Sequence, residues 1–415
     1  MLNRLVVLVL LFSPVLAQTP DAPPPDISPN TSPGTLLSAT PSGVYQAEDI
    51  AQLAATLFAD YGVPPLELAV EAYDLRYLTT DLDGSSIQVS AQLFVPVYLE
   101  ATSRPLFAVG SGTTGIADKC APSREDDYSH PIGHYRANML AYASRGLITV
   151  FPDYLGFETP TRTQAYFNAL AEARILLDAA RATQTFFEQN PRAAQLSGQV
   201  FTGGYSQGGH AAFAAADLRP SYAPEIELAG AIGYGATTDV EALLREGPYY
   251  APYIVESYRN AYGETRFDPA KILAPRWLPT LREDVGARCV DEAQQYYPFD
   301  VNLMYTSEFA AALVSGTLAT DFPDIHQVLT ENHTGLSGHG LPGLVVQGED
   351  DIIVRNPTQE RFVQQLCAAG SDVLYLNFPD VRHRNTRQVG FEETVAWING
   401  ISRSEAAPSS CSAYN

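Results

Sequence analysis

The sequence predicts an α/β fold, in which a mostly parallel β-sheet is flanked by helices and carries an inserted helical cap. Three observations support this prediction. Short apolar runs alternate with helical stretches from residue 105 onward, as strand-helix-strand crossovers do. A glycine-rich turn with one serine, Gly204 to Gly208, joins such a run to a helical stretch. Residues 237–335 are rich in Tyr and Phe and contain no run typical of a parallel strand.

The composition describes a globular protein that carries much negative charge. With 46% hydrophobic and 10% aromatic residues in 415, the chain can build a large core. The formal net charge of −22 repels phosphate backbones and anionic membranes, so we expect no nucleic-acid partner. Four cysteines fit an oxidising compartment and allow three pairings into two disulfides. No Cys-x-x-Cys spacing is present, and we expect neither a metal nor a cofactor.

The N-terminal region has the pattern of a targeting segment followed by a leader. Residues 1–17 have a basic start, a short apolar core and small residues before Gln18, which predicts a signal peptide and a secreted or periplasmic protein. An uncleaved membrane anchor is the alternative. Residues 18–44 are rich in Pro, Ser and Thr, and we expect a disordered leader. The folded domain is then predicted over 45–415.

Helical spacing predicts a first helix over 47–61, and two alternating stretches predict antiparallel edge strands over 66–78 and 87–97. The chain then enters the crossover region. Parallel strands are predicted over 105–109, 146–151, 199–205, 226–232, 343–347 and 372–378, with helices over 163–188, 358–367 and 390–400. The cap, about 237–335, follows the fourth of these strands. Its aromatic side chains could line an acyl pocket or only pack the cap onto the sheet.

Ser206 is the candidate nucleophile. It lies in Gly204-Tyr-Ser-Gln-Gly208, between an apolar run and the helical stretch after His210. A serine on such a strand-to-helix elbow projects above the sheet, and side chains at Gly204 or Gly208 would crowd the turn. The helix N-terminus favours negative charge beside Ser206, which acyl transfer requires. A structural glycine turn is the alternative.

An elbow serine requires an acid and then a histidine later in the chain. His383 is the histidine beyond the last predicted strand, in the loop after Phe378. For the acid, the strand over 343–347 is followed by Glu349, Asp350 and Asp351. We select Asp351, with Asp350 second, because Gly348 to Val354 resembles the Gly-x-x-Asp-x-x-Val pattern that is usual at this point of α/β-hydrolases.

The oxyanion donors are expected from two loops. One is the backbone N–H of Gln207, directly after the nucleophile, and the other is Thr113 or Thr114 in the loop Gly110 to Gly115. A plain turn is the alternative for that loop. His210, one helical turn after Ser206, is expected to pack behind the elbow and not to act as a base.

From about residue 45 to residue 413 the chain resembles the secretory lipases of the fungal lipase A type and their bacterial relatives. The resemblance rests on Gly112-Thr-Thr-Gly115, Cys120-Ala-Pro-Ser123, Pro152-Asp-Tyr-Leu-Gly-Phe157, the elbow, and the Asp351 and His383 segments. It implies an α/β-hydrolase fold with a helical cap over an acyl tunnel, and cleavage of acylglycerols and other esters. It also implies one disulfide from the early Cys-Ala-Pro-Ser loop to the cap and one near the C-terminus, hence Cys120–Cys289 and Cys367–Cys411.

Together these observations predict an exported serine hydrolase that cleaves carboxylic esters, most of all acylglycerols or other lipid esters, through an acyl-enzyme. We expect a monomer that contacts a lipid interface transiently. An exported prolyl or tripeptidyl peptidase on the same fold is the alternative, and a hydrolase-like binding protein is a third hypothesis.

Overall fold

The protein is described by a computed structural model over residues 32–125, 132–159 and 162–414. The predicted signal peptide, residues 1–17, and the leader up to residue 31 lie outside the described residues. Within the described ranges, no helix is both long enough and apolar enough to cross a membrane.

Of the ten strands in the described ranges, nine form one sheet in the order β1-β2-β3-β5-β4-β7-β8-β9-β10. Neighbours from β1 to β5 along this order pair antiparallel, and from β5 to β10 they pair parallel. The predicted α/β class with a mostly parallel sheet is therefore confirmed. The strands are β1 (Leu36–Tyr45), β2 (Val70–Thr80), β3 (Ser86–Pro96), β4 (Thr102–Gly110), β5 (Ile148–Pro152), β6 (Leu155–Glu158), β7 (Ala194–Tyr205), β8 (Glu227–Tyr234), β9 (Gly343–Gly348) and β10 (Val373–Phe378).

Helices cover the sheet, and those from α5 to α13 lie between β8 and β9, where the cap is expected. Short 3-10 turns occur at Asp118–Cys120, Pro122–Arg124, Pro248–Tyr250, Pro275–Trp277, His383–Asn385 and Cys411–Ala413. The α-helices are α1 (Ala47–Leu57), α2 (Tyr135–Ser144), α3 (Ala169–Gln189), α4 (Gln207–Tyr222), α5 (Val240–Glu246), α6 (Ala251–Tyr262), α7 (Pro269–Ile272), α8 (Leu281–Ala287), α9 (Val290–Tyr296), α10 (Val301–Met304), α11 (Ser307–Ser315), α12 (Leu318–Asp321), α13 (Pro323–Glu331), α14 (Asn356–Ala368), α15 (Thr386–Val389) and α16 (Phe391–Ser402).

The expectation of a disordered leader over 18–44 is wrong for its last part, because residues 36–45 form β1. This strand pairs antiparallel with β2 from Leu36 to Tyr45. Pro41 is tolerated because β1 lies at the edge of the sheet, and the register shifts between Pro41 and Gly43. Backbone pairing, together with the partly buried side chains of Leu36, Ala39 and Tyr45, orders a segment whose composition alone indicates disorder.

The same pairing corrects a second expectation. The strands predicted over 66–78 and 87–97 are β2 and β3, but neither lies at the sheet edge, because β1 covers β2 and β5 pairs with β3. The helix predicted from residue 163 begins only at Ala169, where the Asn168 side chain accepts a hydrogen bond from the backbone N–H of Ala171.

The helices between β8 and β9 share a hydrophobic core, rich in Tyr, with residues outside the insertion such as Tyr166 and Phe167. Tyr253, Tyr258 and Tyr305 are completely or almost completely buried and pack inside it. Tyr249 and Tyr250 belong to the same core and also border the cleft that contains Ser206. The aromatic residues of this stretch thus serve packing, and two of them also line the cleft.

Two disulfides join distant parts of the chain. Cys120 pairs with Cys289, which caps α9, and Cys367 at the end of α14 pairs with Cys411. This is the pairing that the family resemblance implies. The first bond ties the loop after β4 to the inserted helices, and the second fastens the C-terminal segment to α14.

Asp153, directly after β5, is a buried carboxylate that holds the loop at Ser123. Its two oxygens accept hydrogen bonds from the backbone N–H and the hydroxyl of Ser123. Burial raises the pKa of Asp153 to about 6, although the bonds from Ser123 act in the opposite direction. The folded protein therefore binds this proton more tightly than the unfolded chain does.

We expect Asp153 to make the protein less stable as the pH rises from about 4 to about 6, by roughly 3 kcal/mol. The sign follows from the raised pKa: the stabilisation exists below the unfolded value and is lost through the folded value. Urea unfolding between pH 4 and 8 measures the effect. Asp153→Asn should remove the pH dependence of the free energy of unfolding in this range. Ser123→Ala should shift the loss of stability to higher pH. The same pH dependence in both variants and the unaltered protein would contradict the assignment.

Candidate active site

The site begins at a strained elbow between β7 and α4. Ser206 has φ 53° and ψ −110°, a backbone conformation that non-glycine residues rarely adopt. Its N–H donates to the carbonyl oxygen of Tyr234 at 2.9 Å, so the end of β8 holds the turn. A Cβ atom at Gly204 would lie 2.5 Å from the Gly110 oxygen, and one at Gly208 only 2.0 Å from it. These glycines let β4 and the elbow approach closely, as the sequence indicates.

Ser206, His383 and Asp351 form one hydrogen-bonded series. His383 Nε2 lies 3.0 Å from Ser206 Oγ, and His383 Nδ1 lies 2.7 Å from Asp351 Oδ2. A carboxylate only accepts, so Nδ1 carries the proton and Nε2 is free to accept from the serine hydroxyl. All three side chains are buried. Ser206 directly follows β7, Asp351 lies in the loop after β9, and His383 lies in the loop after β10.

Asp351 is fixed from its other side. Its Oδ1 accepts from the backbone N–H groups of Ile353 at 2.8 Å and Val354 at 2.9 Å. Asp350, the second candidate, is exposed, and its own N–H donates to the carbonyl oxygen of Val381. The structure brings Asp351 and not Asp350 to the imidazole.

The three predicted oxyanion donors lie at different places around the nucleophile. Thr113 lines the same cleft as Ser206, and Gln207 is the first residue of α4. Within the described part of the chain, neither backbone N–H donates to a backbone acceptor. Thr114 is buried away from that cleft, and its carbonyl oxygen accepts from Val290. The geometry favours Thr113 over Thr114.

The cleft above Ser206 has a volume of about 250 Å³ and mixes polar with apolar walls. Burial raises the pKa of Tyr250, one of its lining residues, to about 12, so this phenol is protonated at neutral pH. Within the described ranges, no group of three or more His, Cys, Asp or Glu side chains could hold a metal ion. The cleft is lined by Tyr135, Tyr205, Tyr249, Tyr250, Val290 and Arg384, among others.

Behind the elbow lies a buried polar network that sequence reasoning missed. Glu172 of α3 accepts from the Gln207 side chain at 2.7 Å and lies 2.6 Å from His210 Nδ1. His210 is fully buried, as expected for a residue that packs behind the elbow. A sequence signal for Glu172 did exist, because it shares the apolar face of α3 with Ile175, Leu176 and Ala179. A carboxylate on such a face requires buried partners.

A sheet of this order, with a serine elbow after a central strand and the acid and histidine after later strands, defines an α/β-hydrolase. The family model described as Secretory lipase matches residues 136–408. The chain belongs to the secretory lipase family. It is therefore an ester-cleaving enzyme of the lipase type, a carboxylic ester hydrolase of a secreted family.

Curated relatives agree with this assignment. The chain is 24% identical over 353 residues to Lipase A of Moesziomyces aphidis, covering 79% of this chain and 71% of the relative. It is 24% identical over 366 residues to Secreted triacylglycerol lipase LIP4 of Malassezia globosa, covering 82% and 75%. These comparisons give no support to the serine peptidase alternative.

Solved structures show the same fold. The rice cell wall degrading esterase LipA from Xanthomonas oryzae superimposes with a TM-score of 0.72 at 18% identity, covering 90% of this chain and 99% of that one. Candida antarctica lipase A superimposes with a TM-score of 0.67 at 20% identity, covering 92% and 84%. The predicted α/β-hydrolase fold is confirmed.

Proposed function

We propose that this enzyme cleaves acylglycerols or other lipid esters with Ser206 as nucleophile, His383 as general base and acid, and Asp351 as the carboxylate that orients His383. The observation that carries the proposal is the hydrogen-bonded series from Ser206 Oγ through His383 to Asp351 Oδ2. Two curated relatives named as lipases, one of them a triacylglycerol lipase, support the substrate class.

The reaction follows from the proton positions. His383 Nε2 takes the hydroxyl proton while Ser206 Oγ attacks the ester carbonyl carbon, and the carboxylate of Asp351 stabilises the imidazolium that forms. His383 then gives the proton to the leaving alcohol, which leaves an acyl group on Ser206. Water, activated by the same imidazole, releases the carboxylic acid and restores the enzyme.

The developing negative oxygen requires donors that are already in place. The N–H groups of Gln207 and Thr113 are suited to this role, because neither donates to a backbone acceptor among the described residues. Gln207 also begins α4, and the helix N-terminus favours negative charge there. Thr114 stays the second choice for the donor from the β4 loop.

The proposal also includes the oligomeric state of the enzyme and the surface on which it acts. We take the enzyme to act as a monomer at a lipid interface, without a nucleic-acid partner. Exposed apolar side chains support the interface, because Phe299 and Ile352 border a second cleft that also includes His383. The net charge of −22 argues against anionic surfaces and favours neutral lipid.

The test is a substrate panel combined with covalent labelling. We expect hydrolysis of p-nitrophenyl esters, assayed from acetate to palmitate, and of an emulsified acylglycerol, with no turnover of aminoacyl p-nitroanilides. A p-nitrophenyl alkylphosphonate should block the activity and modify one peptide, the one that contains Ser206. Labelling of another residue, or turnover of the anilides without the esters, would contradict the proposal. The chain length that gives the highest rate then reports how much of the acyl group the cleft accepts.

A further inference from the structure

We propose that the segment Tyr166 to Glu172 is a positioning element that holds both oxyanion donors, Thr113 and Gln207, from behind. The inference rests on the proposed function, since it concerns the donors assigned there. Thr113 belongs to the loop after β4 and Gln207 to the start of α4, so the two donors are distant in sequence. One short stretch of chain contacts both of them.

The first contact fixes Thr113. The Tyr166 hydroxyl lies 2.7 Å from Thr113 Oγ1, and Tyr166 is fully buried. The Tyr166 ring packs edge-on against Phe167 and Tyr253, with ring centroids 4.5 Å and 5.9 Å apart, so the phenol cannot turn away. A hydrogen bond from a rigid ring restricts the rotamer of Thr113 and with it the loop that carries the N–H.

The second contact fixes Gln207. Glu172 Oε1 accepts from Gln207 Nε2 at 2.7 Å and from the N–H of Phe167 at 2.9 Å. Glu172 itself is buried within α3. The carboxylate therefore joins the first residue of α4 to the turn that precedes α3, and this bond restrains Gln207.

His210 completes the network by balancing the charge of Glu172. Its Nε2 lies 2.8 Å from the carbonyl oxygen of Asn332, which can only accept, so Nε2 carries a proton. Its Nδ1 lies 2.6 Å from Glu172 Oε2, and that contact holds one further proton. The pair is neutral as a whole, which is how a buried carboxylate is kept without solvent.

The same segment is held by the inserted helices. The Tyr258 hydroxyl donates to the Phe167 carbonyl oxygen at 2.7 Å, and the Ser257 hydroxyl donates to that of Tyr166 at 3.3 Å. The Asn332 side chain accepts from the N–H of Ala169 at 3.0 Å. The inserted helices thus help to fix the positions of the oxyanion donors, because they hold residues 166–172 in place.

The experiment compares Tyr166→Phe and Glu172→Gln with a matched control, Tyr77→Phe. Tyr77 is also fully buried, and its hydroxyl donates to the Ile175 carbonyl oxygen on the same helix, α3. Each protein is assayed with an ester and with the thionoester in which sulfur replaces the carbonyl oxygen. Sulfur is a weak acceptor, so the ester-to-thionoester rate ratio reports the oxyanion donors rather than the fold.

We expect kcat on the ester to fall about 10- to 100-fold in both test variants, with KM changed less than about twofold. The ester-to-thionoester rate ratio should fall together with kcat. Tyr77→Phe should change neither kcat nor this ratio. Equal losses on ester and thionoester, or a Tyr166→Phe variant that behaves like Tyr77→Phe, would overturn the positioning role. Should Glu172→Gln not fold, Tyr166→Phe decides alone. Failure of the proposed function has a different signature, since the phosphonate would then not label Ser206 in the unaltered enzyme.

Discussion

Ser206→Ala is expected to lower kcat for ester hydrolysis by about 10⁶-fold and to leave KM within about twofold. The hydroxyl is the atom that attacks, and the substrate contacts that set KM come from the surrounding cleft. Residual activity above the uncatalysed rate should persist, because the oxyanion donors and the binding cleft stay in place. Single-turnover and steady-state rates on a p-nitrophenyl ester, with active-site titration of the unaltered enzyme, measure the loss.

Thr237→Val is the matched control for this variant. Thr237 Oγ1 lies 3.4 Å from Ser206 Oγ and is also buried, so the control removes a neighbouring hydroxyl without touching the nucleophile. We expect it to stay within about tenfold of the unaltered enzyme, because a 3.4 Å contact is a weak hydrogen bond. Similar losses in both variants would show that the cleft, and not the Ser206 hydroxyl, was damaged.

Asp351→Asn is expected to lower kcat by about 10⁴-fold without unfolding the protein. The oxygen of the introduced amide would stay with the N–H groups that now donate to Asp351 Oδ1, those of Ile353 and Val354. The amide nitrogen then faces His383 Nδ1 and donates to it, which moves the imidazole proton to Nε2. In that tautomer His383 cannot accept the proton of Ser206.

Asp350→Asn provides the comparison for Asp351→Asn at the neighbouring position. Asp350 is exposed, so its loss should change kcat by less than about twofold and stability by no more than about 0.5 kcal/mol. The two variants carry the same change of charge one residue apart, which removes net charge as an explanation. A larger loss in Asp350→Asn than in Asp351→Asn would reverse the assignment of the acid.

The arrangement around Ser206 could be predicted because it depends on short local motifs and on the order of the strands. The glycines at 204 and 208 follow from steric limits of the elbow, and a Cβ at either would collide with β4 or α4. The order serine, acid, histidine follows from parallel strands, whose carboxyl ends meet at one edge of the sheet. His383 and Asp351 were therefore identifiable from the strand that each one follows.

Other features depend on contacts between residues that are distant in the sequence, which no short sequence motif reveals. The strand β1 belongs to a stretch rich in Pro, Ser and Thr, and its pairing with β2 becomes visible only in the folded sheet. Glu172 and Gln207 are 35 positions apart, and Tyr166 and Thr113 are 53 apart, so their bonds arise from tertiary packing. The preference for Asp351 over Asp350 rested on a sequence pattern alone, and the burial that separates the two side chains belongs to the folded loop.

The disulfide between Cys120 and Cys289 limits how the inserted helices can move as one body. The insertion leaves the sheet after Tyr234 and rejoins it at Gly343, and two such attachments alone would permit rotation about the line between them. The bond at Cys289 adds a third attachment and removes that rotation. Any movement of the whole insertion away from the sheet must therefore carry the loop at Cys120 with it, as long as this bond is intact.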